Sequence, residues 1–119
     1  MIERKETKES ELLRIDIIDE ATTADINQIK PVIKNHIAQH KNARLMLVFT
    51  GLDEWSEIVQ LWMNLEMTSD QVNKCARIAL VGNAEWKGWL TKAVERMVDT
   101  ELKFFGDDEM THAQKWIQP

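Results

Sequence analysis

The sequence is poor in the residues that make cross-links and special turns. Its 119 residues include one cysteine, Cys75, two prolines and four glycines. A lone thiol excludes an internal disulfide and is compatible with a reducing cytoplasm. Stability must then come from a buried apolar core, and a chain of this length, read as one domain over residues 1–119, can bury one without metal. Tyrosine is absent, whereas there are five tryptophans and six methionines. Each tryptophan carries a large apolar body that needs a core, a pocket or an interface. No apolar run approaches the length of a membrane span, and the opening MIERKETKES lacks the apolar stretch of a secretory signal. A cytoplasmic protein is expected, touching the inner face of a membrane at most peripherally. Internal repeats and low-complexity segments are also missing.

A further absence is local. Between Asp25 and Asp53 there is no acidic residue, while Lys30, Lys34, Lys41 and Arg44 contribute +4. The rest of the chain holds 11 basic and 20 acidic residues, within a net charge of −5. Such a balance argues against nucleic acid as a partner. The basic segment reads either as a solvated helix face or as a surface for anionic head groups or an acidic partner, with Lys30, Lys34 and Lys41 as the contacts.

What is present is an alternation of strand and helix patterns. Residues 1–10 form a weakly ordered lead-in or an edge strand. LLRIDII (12–18) alternates as a strand with one wet face, near a sheet edge. Thr22 or Thr23 can cap a helix whose period runs through Ile26, Ile29, Ile33, His36, Ile37 and His40. Pro31 predicts a kink or a second start within it. LMLVF (45–49) and IALV (78–81) are short, wholly apolar runs, as in strands buried on both faces. Gly82-Asn83 turns the chain into a helical period from Trp86 through Trp89, Leu90, Ala93, Val94, Met97 and Val98, to about Asp99. LKFF (102–105) is a further strand. The acids Asp107 to Glu109 start a last helix that buries Met110, Ala113, Trp116 and Ile117. The succession predicts an α/β fold with a mainly parallel, mixed sheet of four to five strands covered by helices.

The helix expected over 52–67 stands apart. At about 100° per residue its apolar positions, Trp55, Ile58, Val59, Leu61, Trp62, Met63, Leu65 and Met67, sweep most of the circumference. Packing on one sheet face needs a stripe little wider than about 100°. The surplus has to meet another element, a second copy of the chain, a lipid surface or a ligand.

Candidate chemistry is sparse. His36 and His40 share a helix face, but Ile37 stands where a zinc protease pattern needs glutamate, so core histidines are the simpler reading. Cys75 has no partner cysteine and precedes a buried strand, as an inert core thiol does. Gly82 and Gly88 form no phosphate-cradling loop. Asp107, Asp108 and Glu109 suit a helix N-terminus without a cation. Trp86 and Trp89 have the period of core residues, while Trp55 and Trp62 suit core and binding surface equally. No catalytic residues, metal ligands or cofactors are assigned.

The segment RIALVGNAEWKGWL is similar to the pattern of the SpoIIAA-like family of small bacterial proteins: an arginine, an apolar strand ending in Val-Gly, then a tryptophan on the next helix. Thr22 to Asp25, the helix holding Pro31, RLMLVF and the ending KFFGDDEMTHAQKW also resemble the family, from Leu12 to Ile117. The resemblance implies a fold related to the STAS domain of anti-anti-sigma factors, with the 53–67 helix able to act as a lid. It also implies, through a likeness to CRAL-TRIO lipid carriers, carriage of a small lipophilic molecule. The phosphorylation turn of anti-anti-sigma factors, Asp-Ser-Ser/Thr-Gly, does not carry over, because the chain reads Leu52-Asp53-Glu54-Trp55-Ser56. The leading expectation is therefore a non-enzymatic module that binds a lipophilic ligand at Trp55, Ile58, Val59, Trp62, Met63, Leu65 and Met67, with reversible membrane-surface contact. The alternative is an anti-anti-sigma-like interaction domain, whose apolar helix docks a partner or forms a homodimer.

Overall fold

The two wholly apolar runs become the middle of a sheet. In the computed structural model, which describes residues 1–51, 55–66, 69–86 and 101–118, they lie in β3 (Arg44–Thr50) and β4 (Arg77–Gly82). Backbone alone is described for Trp55, Ser56, Ile58, Val59, Trp62, Ser69 and Trp86. β3 and β4 pair in parallel, with Leu45 opposite Ile78 and Leu47 opposite Leu80. β2 (Leu12–Ile18) extends the sheet beside β3 and β5 (Glu101–Gly106) beside β4, both in parallel. β1 (Ile2–Lys5) runs antiparallel along β2, so the sheet is five-stranded, mixed and mostly parallel, in the order β1-β2-β3-β4-β5. The opening residues are thus an edge strand, and β2 is second from the edge. Its Arg14 and Asp16 satisfy each other, Nε to Oδ1 at 2.9 Å, and Asp16 is buried rather than wet.

Period-2 alternation sorts the strand residues onto two faces. Leu13, Ile15, Ile17, Leu45, Leu47, Phe49, Ile78, Leu80 and Phe104 join the larger core with residues of α1 (Thr23–Gln39), α2 (Trp55–Asn64) and α3 (Ser69–Asn73). Met46, Val48, Ala79, Val81 and Phe105 form the smaller core on the other face, under α4 (Met110–Trp116).

α1 begins on a reciprocal cap. The Thr22 hydroxyl accepts from the Asp25 amide, and the Asp25 carboxylate accepts from the Thr22 amide, both at 3.1 Å. Those bonds to the charged form hold the Asp25 carboxyl below the usual range. The helix is continuous through Pro31, with no second start. Pro31 lies on the exposed side, as does Asn27, so the carbonyl that loses its donor can be hydrated. α2 stops at Asn64, short of the expected Met67, because Glu66 turns into the left-handed region at φ 53°. The short helix α3 follows at Ser69–Asn73. Asn83 Oδ1 accepts from the Glu85 amide and sets a 3-10 turn over Ala84–Trp86. The helical period expected from Trp89 through Leu90, Ala93, Val94, Met97 and Val98 lies outside the described residues. A second 3-10 turn, Asp107–Glu109, leads into α4, whose Ala113 is buried together with the following Ile117.

Two arginines tie α4 to the sheet. Arg44 and Arg77 sit opposite each other at the starts of β3 and β4. Arg44 donates to the Ile117 carbonyl at 2.7 Å and to the Glu9 carboxylate. Arg77 donates to the Trp116 carbonyl at 2.6 Å and to Glu101 at 2.8 Å, with its guanidinium 5.3 Å from the Trp116 ring centroid. Cations thus meet the unpaired carbonyls at the negative end of α4. Arg44 is only 4 % exposed, so it is withdrawn from the basic surface to which its charge assigned it.

Candidate ligand site

The loops at the carboxyl ends of β2 and β3 are locked to each other. Asp19 leaves β2 in the left-handed region, at φ 57°, and its amide donates to the Thr50 carbonyl at 2.7 Å. Gly51 leaves β3 at φ +79°, and a Cβ there would stand 2.3 Å from Asp19 Oδ1. Only glycine meets both conditions without strain. These turns send the chain into the first turn of α1 and towards α2, and between those helices lies a cavity of about 400 Å³. Its lining is Glu20, Ala21, Ile26, Glu57, Gln60, Leu61 and Asn64. The carboxyl end of a parallel sheet is where α/β proteins commonly place a ligand, and the volume falls in the small-molecule range.

The lining divides by chemistry. Ile26 and Leu61 are buried and Ala21 half-buried, giving an apolar floor. Glu20, Glu57, Gln60 and Asn64 are exposed and give a polar rim, in which Gln60 Nε2 donates to Asn64 Oδ1 at 3.3 Å. Glu57, Gln60 and Asn64 recur at three- and four-residue steps, one flank of α2. Among the described residues, Glu20 and Glu57 are the charged members of the lining, and no base is among them. Such a site can bind and orient a small molecule. Among the described residues it brings together no nucleophile with a base.

The residues assigned from sequence are distributed differently. Leu65 is buried in the larger core beside Leu61. Met63 is 65 % exposed, on the side of α2 away from the core. Trp55, Ile58, Val59 and Trp62 lie on the α2 backbone, their side chains outside the described residues, as is Met67 altogether. Of the lysines, Lys30 pairs with Glu66 at 3.1 Å, Lys34 is half-buried and Lys41 is exposed. Glu20, Ala21 and the flank of Glu57, Gln60 and Asn64 were not singled out by sequence. The usable signal was positional, a strand end followed by a capped helix.

The titratable candidates are tied into the framework. His36 is buried, with Nε2 2.7 Å from the Glu11 carbonyl, and loss of hydration lowers its pKa. His40 places Nδ1 2.9 Å from the His36 carbonyl, and the two rings are tilted by 35° with centroids 4.4 Å apart. Burial pushes the Cys75 thiol up to about 11, far from the thiolate a nucleophile needs. Among the described residues, no three His, Cys, Asp or Glu side chains cluster as metal ligands would. Among them too, no helix is long and apolar enough to cross a membrane.

The profile of the SpoIIAA-like family matches residues 12–118. The chain belongs to the SpoIIAA-like family. The match begins at β2 and ends just after α4, so it covers every parallel strand of this SpoIIAA-like protein. A crystal structure of an uncharacterised Shewanella loihica protein with a SpoIIAA-like fold is similar at a TM-score of 0.68 and 18 % identity. The alignment covers 99 % of this chain and 93 % of that one. At that identity the likeness is one of fold. No curated protein matches. The family-like sequence pattern also acquires a physical reading: its arginine, Arg77, is a clamp on the last helix.

Proposed function

We propose that this SpoIIAA-like protein is a non-enzymatic binding module that holds a small molecule with an apolar body in the cavity beside α2. The single observation that carries the reading is the cavity of about 400 Å³ with Ala21, Ile26 and Leu61 as its floor. A ligand seated there would remove apolar surface from water at about 25 cal/mol per Å². The polar rim would orient it without contributing chemistry. Release has a natural route through α2. The Lys30–Glu66 pair joins α1 to the turn after α2, and its Glu66 side chain is 67 % exposed. With the Lys30 side chain 20 % exposed, this half-exposed pair is worth about 1 kcal/mol, a latch that can open. Swinging α2 outward would free Lys30 to join Lys34 and Lys41 towards anionic head groups, giving the reversible surface contact of a carrier.

The test is native mass spectrometry of freshly purified protein, with organic extraction of what is bound. A lipophilic adduct at one per chain is expected. Ala21→Phe, which fills the floor from a half-buried loop position, should lose it while keeping the urea midpoint. An adduct unaffected by that substitution would place the ligand elsewhere. A protein that carries nothing and takes up nothing from the extract would remove the reading.

A further inference from the structure

The rim of the cavity selects among lipophilic molecules by charge, and this step rests on the ligand reading above. We propose that the preferred ligand is an amphiphile with a cationic head, of the alkylammonium class, and not an anionic one such as a fatty carboxylate. Among the described residues, Glu20 and Glu57 are the two charged members of the lining, and neither has an ion-pair partner there. The nearby cations are already engaged. Lys30 is held by Glu66 at 3.1 Å. The Met1 amino group lies on the Ile18 and Glu20 carbonyls and 3.6 Å from the Asp25 carboxylate. The amides add acceptors, since the internal bond uses a Gln60 donor and leaves its carbonyl oxygen facing solvent. A carboxylate entering here would meet two like charges, with no base among the described lining residues to neutralise it. An ammonium head would meet two carboxylates and a carbonyl at the rim, its chain lying on the floor of Ala21, Ile26 and Leu61.

The experiment titrates the full chain with decyltrimethylammonium and with decanoate at pH 7, both below their micelle concentrations, by isothermal calorimetry. The ammonium probe should saturate one site and bind about tenfold more tightly than decanoate, the combined effect of two partly exposed charge pairs. Because the whole protein is acidic, a cation could gain from net charge alone. Glu20→Gln/Glu57→Gln should therefore abolish the preference, whereas Glu6→Gln/Glu85→Gln, which removes the same charge from exposed positions outside the cavity lining, should keep it. All four positions are exposed, and urea midpoints verify that each variant is folded. Equal or tighter binding of decanoate to the native protein, or a preference that survives Glu20→Gln/Glu57→Gln, overturns the charge assignment and leaves the ligand site standing. If neither probe binds at a site sensitive to Ala21→Phe, the ligand reading and this inference fall together.

Discussion

Arg44→Met is the most informative single perturbation of this fold. The Arg44 guanidinium is 4 % exposed and joins three parts of the chain: the start of β3, the Ile117 carbonyl at 2.7 Å and the Glu9 carboxylate before β2. Methionine keeps much of the apolar stem, so the loss is one of charge and hydrogen bonds. Removing one partner of a buried ion pair costs about 3–5 kcal/mol when the other charge stays buried. Here Glu9 is 37 % exposed and can recover water, which places its share near that of a surface pair. The Ile117 carbonyl belongs to a buried residue and loses a charge-assisted bond of about 1.5–3 kcal/mol. The expected total is about 3 kcal/mol, a large fraction of the stability of a domain this size. The assay is urea unfolding followed by tryptophan fluorescence and far-UV circular dichroism together, so that two-state behaviour is checked. Glu9→Gln alone should cost about 1 kcal/mol, because glutamine can still accept from the guanidinium. The double variant should be less unstable than the sum of the singles, since Glu9 has nothing left to pair with once Arg44 is gone. A cost below about 1 kcal/mol for Arg44→Met, or strict additivity in the cycle, would refute the clamp.

Three other outcomes follow from the same geometry. Thr22→Ala removes one half of the capping box and should cost about 1 kcal/mol in urea unfolding; it should also weaken uptake by the adjacent cavity, and an unchanged midpoint would count against the cap. His36 has a folded pKa below its ordinary 6.5, so the unfolded chain takes the proton more readily. Its contribution is therefore full above about pH 6.5 and declines as pH falls towards the folded value; urea midpoints from pH 7.5 to 5 should fall in the native protein and flatten in His36→Gln. Cys75, with its thiol pushed up to about 11, should resist a disulfide reagent at pH 8 in the native protein and react promptly in urea; complete native-state labelling within a minute would contradict its burial.

Much of the architecture was legible because it rests on local periodicity. Alternation in LLRIDII, the apolar runs at 45–49 and 78–81, and the capping threonine before Asp25 are properties of neighbouring residues, and pattern reading recovers those. Pro31 misled in part. Its local cost depends on whether the orphaned carbonyl faces water, which only packing decides. The basic segment was legible as charge alone: Arg44 and Lys30 have the same formal charge as Lys41 but pair with Glu9 and Glu66, which packing decides. The surplus apolar arc singled out α2, which walls one side of the cavity. Yet the cavity opens on its polar flank, because its other wall is the loop at Glu20 and Ala21, brought there by β2 and β3 pairing in parallel.

By itself, then, the sequence determined the element succession, the apolar strands and the family, since these follow from local spacing and residue type. The tertiary structure alone decided the strand order, the clamp of Arg44 and Arg77 on α4, and the meeting of Glu20 with Glu57 across a cavity. Those features join residues tens of positions apart. Their partners are chosen by the geometry of the packed sheet, and no local pattern encodes a distance between segments.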